Sequence, residues 1–424
     1  MQLQGSVEPG FESLKKQLAD NLSASADSNA QLCVYVGEQC VVDLWASTTG
    51  DSTFDGDTLV NVFSSGKSLE SILLGMLVDQ AGLDFSAPVQ AYWPEFRGKS
   101  KEKLLVADVM RHEAGLAQLN TSFSPQDLYP SAVHNNTLGQ VLETHPLAFP
   151  ANSASPREYH AISRGWIANE IFRRVDPEHR TMGEFLRKNL SEPLGLDVHI
   201  GLTADEFKGI SPIAVRPLRA QLFEGIRPGS FAAKIGQTPA AIFRRFWRMR
   251  GTIRNARASR RPLPIQGMAA TGVSMFDAES LARAEIPSAG AKASARGLAK
   301  LAAIMANQGQ LGGTRILSPA AWEQIHANPV KRKMVVLDTA FTQGGLAQFQ
   351  RTEAQPQSLE AALNHGREGF FGWMGFGGSV FQWHPELQIG FAYVPTSLNP
   401  IDFLNERAKA YQQETLRCVH AMLA

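Results

Sequence analysis

Phe11, Leu14, Leu18 and Leu22 recur at intervals of three and four, which puts them on one stripe and predicts a helix over residues 9–24. The period then shortens. Residues 31–46, QLCVYVGEQCVVDLWA, read as a hairpin turning at Gly37-Glu38, with Tyr35 opposite Cys40. Cys33 is then a diagonal neighbour of Cys40, a poor placing for a disulfide, so both are expected as free, buried structural cysteines. Thr58–Phe63, TLVNVF, predicts a short buried extension. From Ser64 the three-and-four spacing returns through Leu69, Ile72, Leu73, Met76 and Leu77, so a buried helix starts at or just after the serines. Residues 85–205 read mostly as helix and loop, with a helix over Trp166–Arg174, and residues 294–308 read as helix. A glycine-rich stretch at 366–378 leads into a second hairpin, with strands Ser379–Trp383 and Gln388–Pro395. Residues 403–423 predict a terminal amphipathic helix.

Strands at both ends with helices between them predict an α+β chain. One antiparallel sheet flanked by helices would be built from 1–62 and 270–424, and a mainly helical lobe from 63–269. A cleft between the two is the natural place for a site.

Composition narrows the function classes. The chain has 424 residues, 44% of them hydrophobic, enough for a large core. Its net charge of +1 offers no global field for nucleic acid. No apolar run approaches the ~18 residues of a membrane span. The polar N-terminus lacks the basic start and apolar stretch of a secretory signal, which predicts a cytoplasmic protein. Neither His-Glu-x-x-His nor paired Cys-x-x-Cys occurs, so no metal or cofactor is expected. Residues 214–264 stand apart: they are crowded with arginine, and Glu224 is their only acid.

The candidate chemistry lies in FSSGKS, residues 63–68. At helical spacing Ser64 and Lys67 share a face, whereas Ser65 and Lys67 do not. A serine hydroxyl needs a base to become a nucleophile, and a desolvated lysine can be that base. The spacing alone is weak, because Ser13-x-x-Lys16 and Ser100-x-x-Lys103 repeat it. Only the Ser64 copy lies between an apolar extension and an apolar helix, where a polar pair would be buried. No Gly-x-Ser-x-Gly elbow competes with it. Tyr159, just ahead of a helix in EYHAISRGW, could share the serine's proton or simply pack its ring.

Taken together, Ser64-x-x-Lys67, Tyr159 in YHAISRGWIANEIFRRV and Trp373-Met374-Gly375 in FFGWMGFGGSVFQWHPELQIG resemble the serine beta-lactamase-related hydrolases. That family includes class C beta-lactamases, DD-peptidases and family VIII carboxylesterases. LLVADVMRHEAGL and EIPSAGAKASARGLAKL add to the likeness. It runs from about residue 10 to the end, with 206–264 unfamiliar. The resemblance implies the beta-lactamase/DD-peptidase fold with an all-helical lobe. It implies Ser64 as acylated nucleophile and Lys67 with Tyr159 as the general-base system. Trp373, Met374 and Gly375 would edge the substrate site, and the backbone N–H groups of Ser64 and Phe376 would form the oxyanion hole.

One departure is informative. Trp373 stands where lactam-active relatives carry the lysine of Lys-Thr-Gly. That leaves Lys67 alone to lower the phenol's pKa, and it removes a grip on a substrate carboxylate. The expected function is therefore a serine carboxylesterase acting on a small-molecule ester or acyl donor, ahead of a beta-lactamase. An acyltransferase with a bulky acceptor shares the same first half-reaction, and a catalytically silent binding or scaffold protein shares the fold. In the basic insert, Phe243, Phe246, Trp247 and Arg250 share a helical face. It reads as a lid over the cleft, or as a weak membrane-surface contact. His112, His134, His160 and His365 have no triad or metal spacing and read as structural or as minor lining of the pocket.

Overall fold

The computed structural model describes residues 3–424 apart from 25–28, 152–154, 245–246, 248–249, 252–260, 356–357 and 403. Its centre is a nine-stranded antiparallel sheet. The N-terminal strands are β1 (Leu3–Val7), β2 (Asn29–Val36) and β3 (Gln39–Ser47). The others are β4 (Val330–Met334), β5 (Leu337–Phe341), β6 (Ala347–Gln348), β7 (Phe371–Met374), β8 (Val380–His384) and β9 (Ile389–Pro395). Their order is β1-β3-β2-β9-β8-β7-β6-β5-β4. The two ends of the chain meet where β2 pairs with β9, Val36 opposite Ile389 and Ala30 opposite Pro395.

Side chains alternate across this sheet, and both faces are covered. Ile389, Phe391 and Tyr393 of β9 join a core with helices α1 (Glu12–Ala24) and, at the far end of the chain, Glu406–Leu423. Ala392 and Val394 face the other way, into the larger core. That core holds α2 (Lys67–Ala81), α3 (Ser163–Val175) and α4 (Ala295–Ala306). The stripe Leu14, Leu18 and Leu22 is buried as its spacing requires. Helix α2 is buried on every side from Lys67 to Leu77, as a central core helix should be.

Three local features depart from the sequence reading. Strand β1 runs along β3 as an edge, although its sequence, LQGSV, is short and polar. The hairpin β4–β5 has no counterpart in the expected elements. In the β2–β3 hairpin Tyr35 does oppose Cys40, but a bulge follows, so Val34 opposes Val42 and both Val41 and Val42 are buried. The cysteines are free, with Cys33 Sγ 3.7 Å from Cys40 Sγ, and Cys40 is half-buried rather than buried. Among the described residues no helix is long and apolar enough to cross a membrane.

Candidate active site

Ser64 is presented by a bend. Phe63, just before it, has φ +47°, a left-handed conformation that bulky residues avoid. Edge-on ring contacts with Phe276 and Phe376, at 5.3 and 5.8 Å, hold it there. The bend turns the short strand Val60–Asn61 into the 3-10 turn Phe63–Gly66, which runs directly into α2 at Lys67. Lys67 Nζ consequently stands 3.5 Å from Ser64 Oγ. Ser65 faces away and is structural, its hydroxyl 3.0 Å from that of Ser379.

Lys67 is 1% exposed. Its Nζ donates to the carbonyls of Ala161 at 2.7 Å and Ser288 at 3.0 Å. Burial drives its pKa well below that of an ordinary lysine; the Glu70 carboxylate opposes this and the Arg164 guanidinium adds to it. Glu70 is itself engaged, accepting from Arg164 Nε at 2.7 Å and from Ser288 Oγ. A neutral amine has two N–H bonds and a lone pair. Two carbonyls take the N–H bonds, which leaves the lone pair for Ser64. Gly66 makes this possible, since a Cβ there would press within 2.6 Å of the Pro287 carbonyl and push the Ser288 loop away.

Tyr159 donates its hydroxyl proton to Ser64 Oγ at 2.8 Å. Lys67 Nζ lies 5.0 Å from the centre of its ring. The Trp373 indole Nε1–H donates to the Tyr159 oxygen at 3.1 Å. Burial raises the Tyr159 pKa, while the hydrogen bonds to Ser64 and from Trp373 and the charge of Arg164 pull it back. This corrects the expectation that Lys67 alone lowers it: the tryptophan that replaces the cation is itself a donor to the phenol.

The third motif sits at the end of β7. The Trp373 N–H donates to Ser68 Oγ at 2.9 Å, which fixes the strand to α2. Gly375 has no room for a side chain, because a Cβ would collide with Ser379 Oγ and the Val62 carbonyl. Asn405 Nδ2 ties the turn by donating to the carbonyls of Gly375 and Ser379, at 3.0 and 2.9 Å. Among the described residues neither the Ser64 N–H nor the Phe376 N–H donates to another backbone carbonyl.

Ser64, Tyr159, Trp373, Met374, Gly375 and Phe376 line one cavity of about 340 Å³, with Lys67 buried behind it. The opposite wall is the β4–β5 turn, Met334 to Leu337, which the sequence reading missed. Its sequence, VKRKM, puts three basic residues in a row and lacks the apolar alternation that would have marked a half-buried strand. The Glu70–Arg164 pair was also missed. His112 and His160 are buried, the first with its ring centre 5.0 Å from that of Tyr159. His134 pairs with Glu184 at 3.0 Å and His365 lies near Glu368 at 3.4 Å, both outside the cavity.

Among the described residues, none from 214–264 lines this cavity. Phe243 and Trp247 are exposed, and Phe246 lies outside the described residues.

Comparison with known proteins gives matches over nearly the whole chain. A family model described as Beta-lactamase matches residues 17–415. Esterase/beta-lactamase LipL of Mycobacterium tuberculosis is 30% identical over 408 residues, spanning 93% of this chain and 83% of that protein. A penicillin-binding protein homolog from Caulobacter crescentus superposes with a TM-score of 0.74 at 23% identity, covering 99% of this chain and 100% of that one. A family VIII carboxylesterase gives a TM-score of 0.70 at 23% identity, covering 97% of this chain and 100% of that one.

Proposed function

This chain belongs to the beta-lactamase family and is a serine hydrolase, and on that premise we propose that it is a carboxylesterase working through an acyl-enzyme on Ser64. The observation that carries this reading is the Trp373 indole donating to Tyr159 where lactam-active relatives hold a cation, beside a cavity walled by Met334, Val335, Val336, Leu337 and Phe376. Such a cleft suits an uncharged ester with an apolar group. Among the described residues that line it, none offers a cation to a substrate carboxylate.

The steps follow from the proton inventory. The chemistry uses Lys67 as a neutral amine and Tyr159 as a phenol, the directions in which burial drives the pKa of each. Ser64 Oγ attacks the ester carbonyl as its proton passes to Lys67 Nζ. The carbonyl π pair moves onto oxygen, where the N–H groups of Ser64 and Phe376 receive it. The pair returns, the C–O bond to the alcohol breaks, and Tyr159 gives the leaving oxygen its phenolic proton. Lys67 restores that proton to Tyr159. Water then repeats the sequence on the acyl-enzyme, releasing the acid and free Ser64.

A panel of p-nitrophenyl esters from acetate to laurate, with nitrocefin beside it, tests the reading. Turnover of esters but not of nitrocefin, lost in Ser64→Ala, is the expected result. Faster turnover of nitrocefin would sink the reading of Trp373. Adding alcohols to the same assay tests transfer in place of hydrolysis. The name of the LipL relative joins esterase with beta-lactamase, so the nitrocefin arm is the decisive one.

A further inference from the structure

Exposed large apolar side chains are unevenly spread over this molecule. Among the described residues there are eleven, and seven of them, including Phe223, Ile226, Phe243 and Trp247, fall within 214–264. That segment also holds eleven arginines and Lys234 against one acid, Glu224. Glu224 accepts from Arg216 at 2.9 Å. With a net charge of +1 overall, the rest of the chain is net acidic, so the positive charge is local to this segment.

We propose that this face docks the protein on an anionic lipid surface. Residues 239–244 are helical, and so is 247, which puts Phe243 and Trp247 one turn apart. They are 67% and 58% exposed and stack on each other at 6.2 Å. The Arg250 guanidinium lies 4.2 Å from the Trp247 ring centre. Rings that enter the acyl boundary beside guanidinium groups that reach phosphates are what a bilayer headgroup layer accepts. Nucleic acid would also use arginine and aromatic rings. Aliphatic side chains such as Leu218 and Ile226 gain little by stacking on bases and gain fully by entering lipid, so the composition favours the bilayer.

One end of the segment reaches the cavity rim. Ala214–Val215 pairs with Ser397–Leu398, and the Asn399 N–H donates to the carbonyl of Gly377 at 3.0 Å, a residue that lines the cavity. Val335 and Phe376, two more of the exposed apolar residues, stand on that cavity's edge. A docked protein would hold its cleft beside the lipid surface. The proposal does not rest on the esterase reading.

Flotation of the full chain with vesicles tests it. Equimolar phosphatidylcholine and phosphatidylglycerol vesicles at low salt are expected to carry the protein up, and pure phosphatidylcholine vesicles are not. Molar salt, which shortens the screening length to about 3 Å, should weaken the association strongly. The double variant R244E/R250E and the double variant F243A/W247A should each reduce the partition coefficient roughly tenfold while keeping the wild-type melting temperature. The proposal is overturned if the wild type ignores anionic vesicles at low salt, if it floats equally with both vesicle types, or if neither double variant weakens it. Binding to polyuridylate under conditions where vesicles fail would reassign the face to nucleic acid and overturn it as well.

Discussion

Of the three places in this chain with the same spacing, two lie at helices: Ser13-x-x-Lys16 on α1 and Ser64-x-x-Lys67 at the start of α2. They have opposite fates. The Lys16 side chain is 77% exposed and pairs with Asp20 at 2.7 Å, and the Ser13 hydroxyl lies 3.4 Å from Cys418 Sγ. Lys16 therefore stands in water beside a carboxylate, as half of a surface ion pair. Lys67 is out of water, and its nearest carboxylate, Glu70, is bound to Arg164. The helix supplies the same geometry twice. What separates a surface pair from a nucleophile and its base is the burial of the amine and the prior engagement of the acid beside it.

Substitutions at the two places should break the symmetry. Ser64→Ala is expected to lower kcat/KM for a p-nitrophenyl ester about 10⁴-fold or more, and Ser13→Ala to leave it unchanged. Equal rates for the two variants would mean that the nucleophile lies elsewhere. Next in size is Lys67→Arg, about 10³-fold, because a guanidinium stays protonated; Lys16→Arg should be silent in the same assay.

The ion pairs come third. Glu70→Gln leaves the buried Arg164 guanidinium without its partner and should cost about 3–5 kcal/mol in urea unfolding. Asp20→Asn should cost about 0.3–0.5 kcal/mol. Glu70→Gln also has a signed effect on pH dependence. Lys67 must be neutral to act, so activity rises with pH as its proton leaves. Glu70 raises the Lys67 pKa, so its loss moves that rising limb to lower pH.

Trp373→Phe is the smallest of these effects, about tenfold in kcat/KM, because one neutral hydrogen bond is lost. Its signature is directional. Without the indole donor the Tyr159 pKa rises further, and the falling alkaline limb moves up. A limb that stays in place would show that the indole does not tune the phenol.

The comparison also explains what could be read without coordinates. Ser64 and Lys67 were legible because burial announces itself in the apolar residues around them, Tyr159 only through the family resemblance, and the paired ends of the sheet from strand patterns at each terminus. The contact between the Trp373 indole and Tyr159 was not, since it depends on where the Trp373 backbone is pinned, and Ser68 sets that across 305 positions. Arg164 was hidden in the same way: within the α3 pattern it is one polar residue among several, and only the fold brings Glu70 to it. Strand β1 lacks the apolar alternation of a strand and gains its place from β3 alone.

The seam between β2 and β9 has a consequence for how this protein is made. Residues 29–36 leave the ribosome early, yet the strand that completes their hydrogen bonds ends at residue 395. At a translation speed of roughly 5–20 residues per second, that edge stays open for tens of seconds. During that wait the hairpin Asn29–Ser47 presents an unpaired, largely apolar border to every neighbouring nascent chain. A ribosome that stalls between Tyr159 and β9 therefore leaves a chain that already carries Ser64, Lys67 and Tyr159 and still has no closed sheet on which to set them.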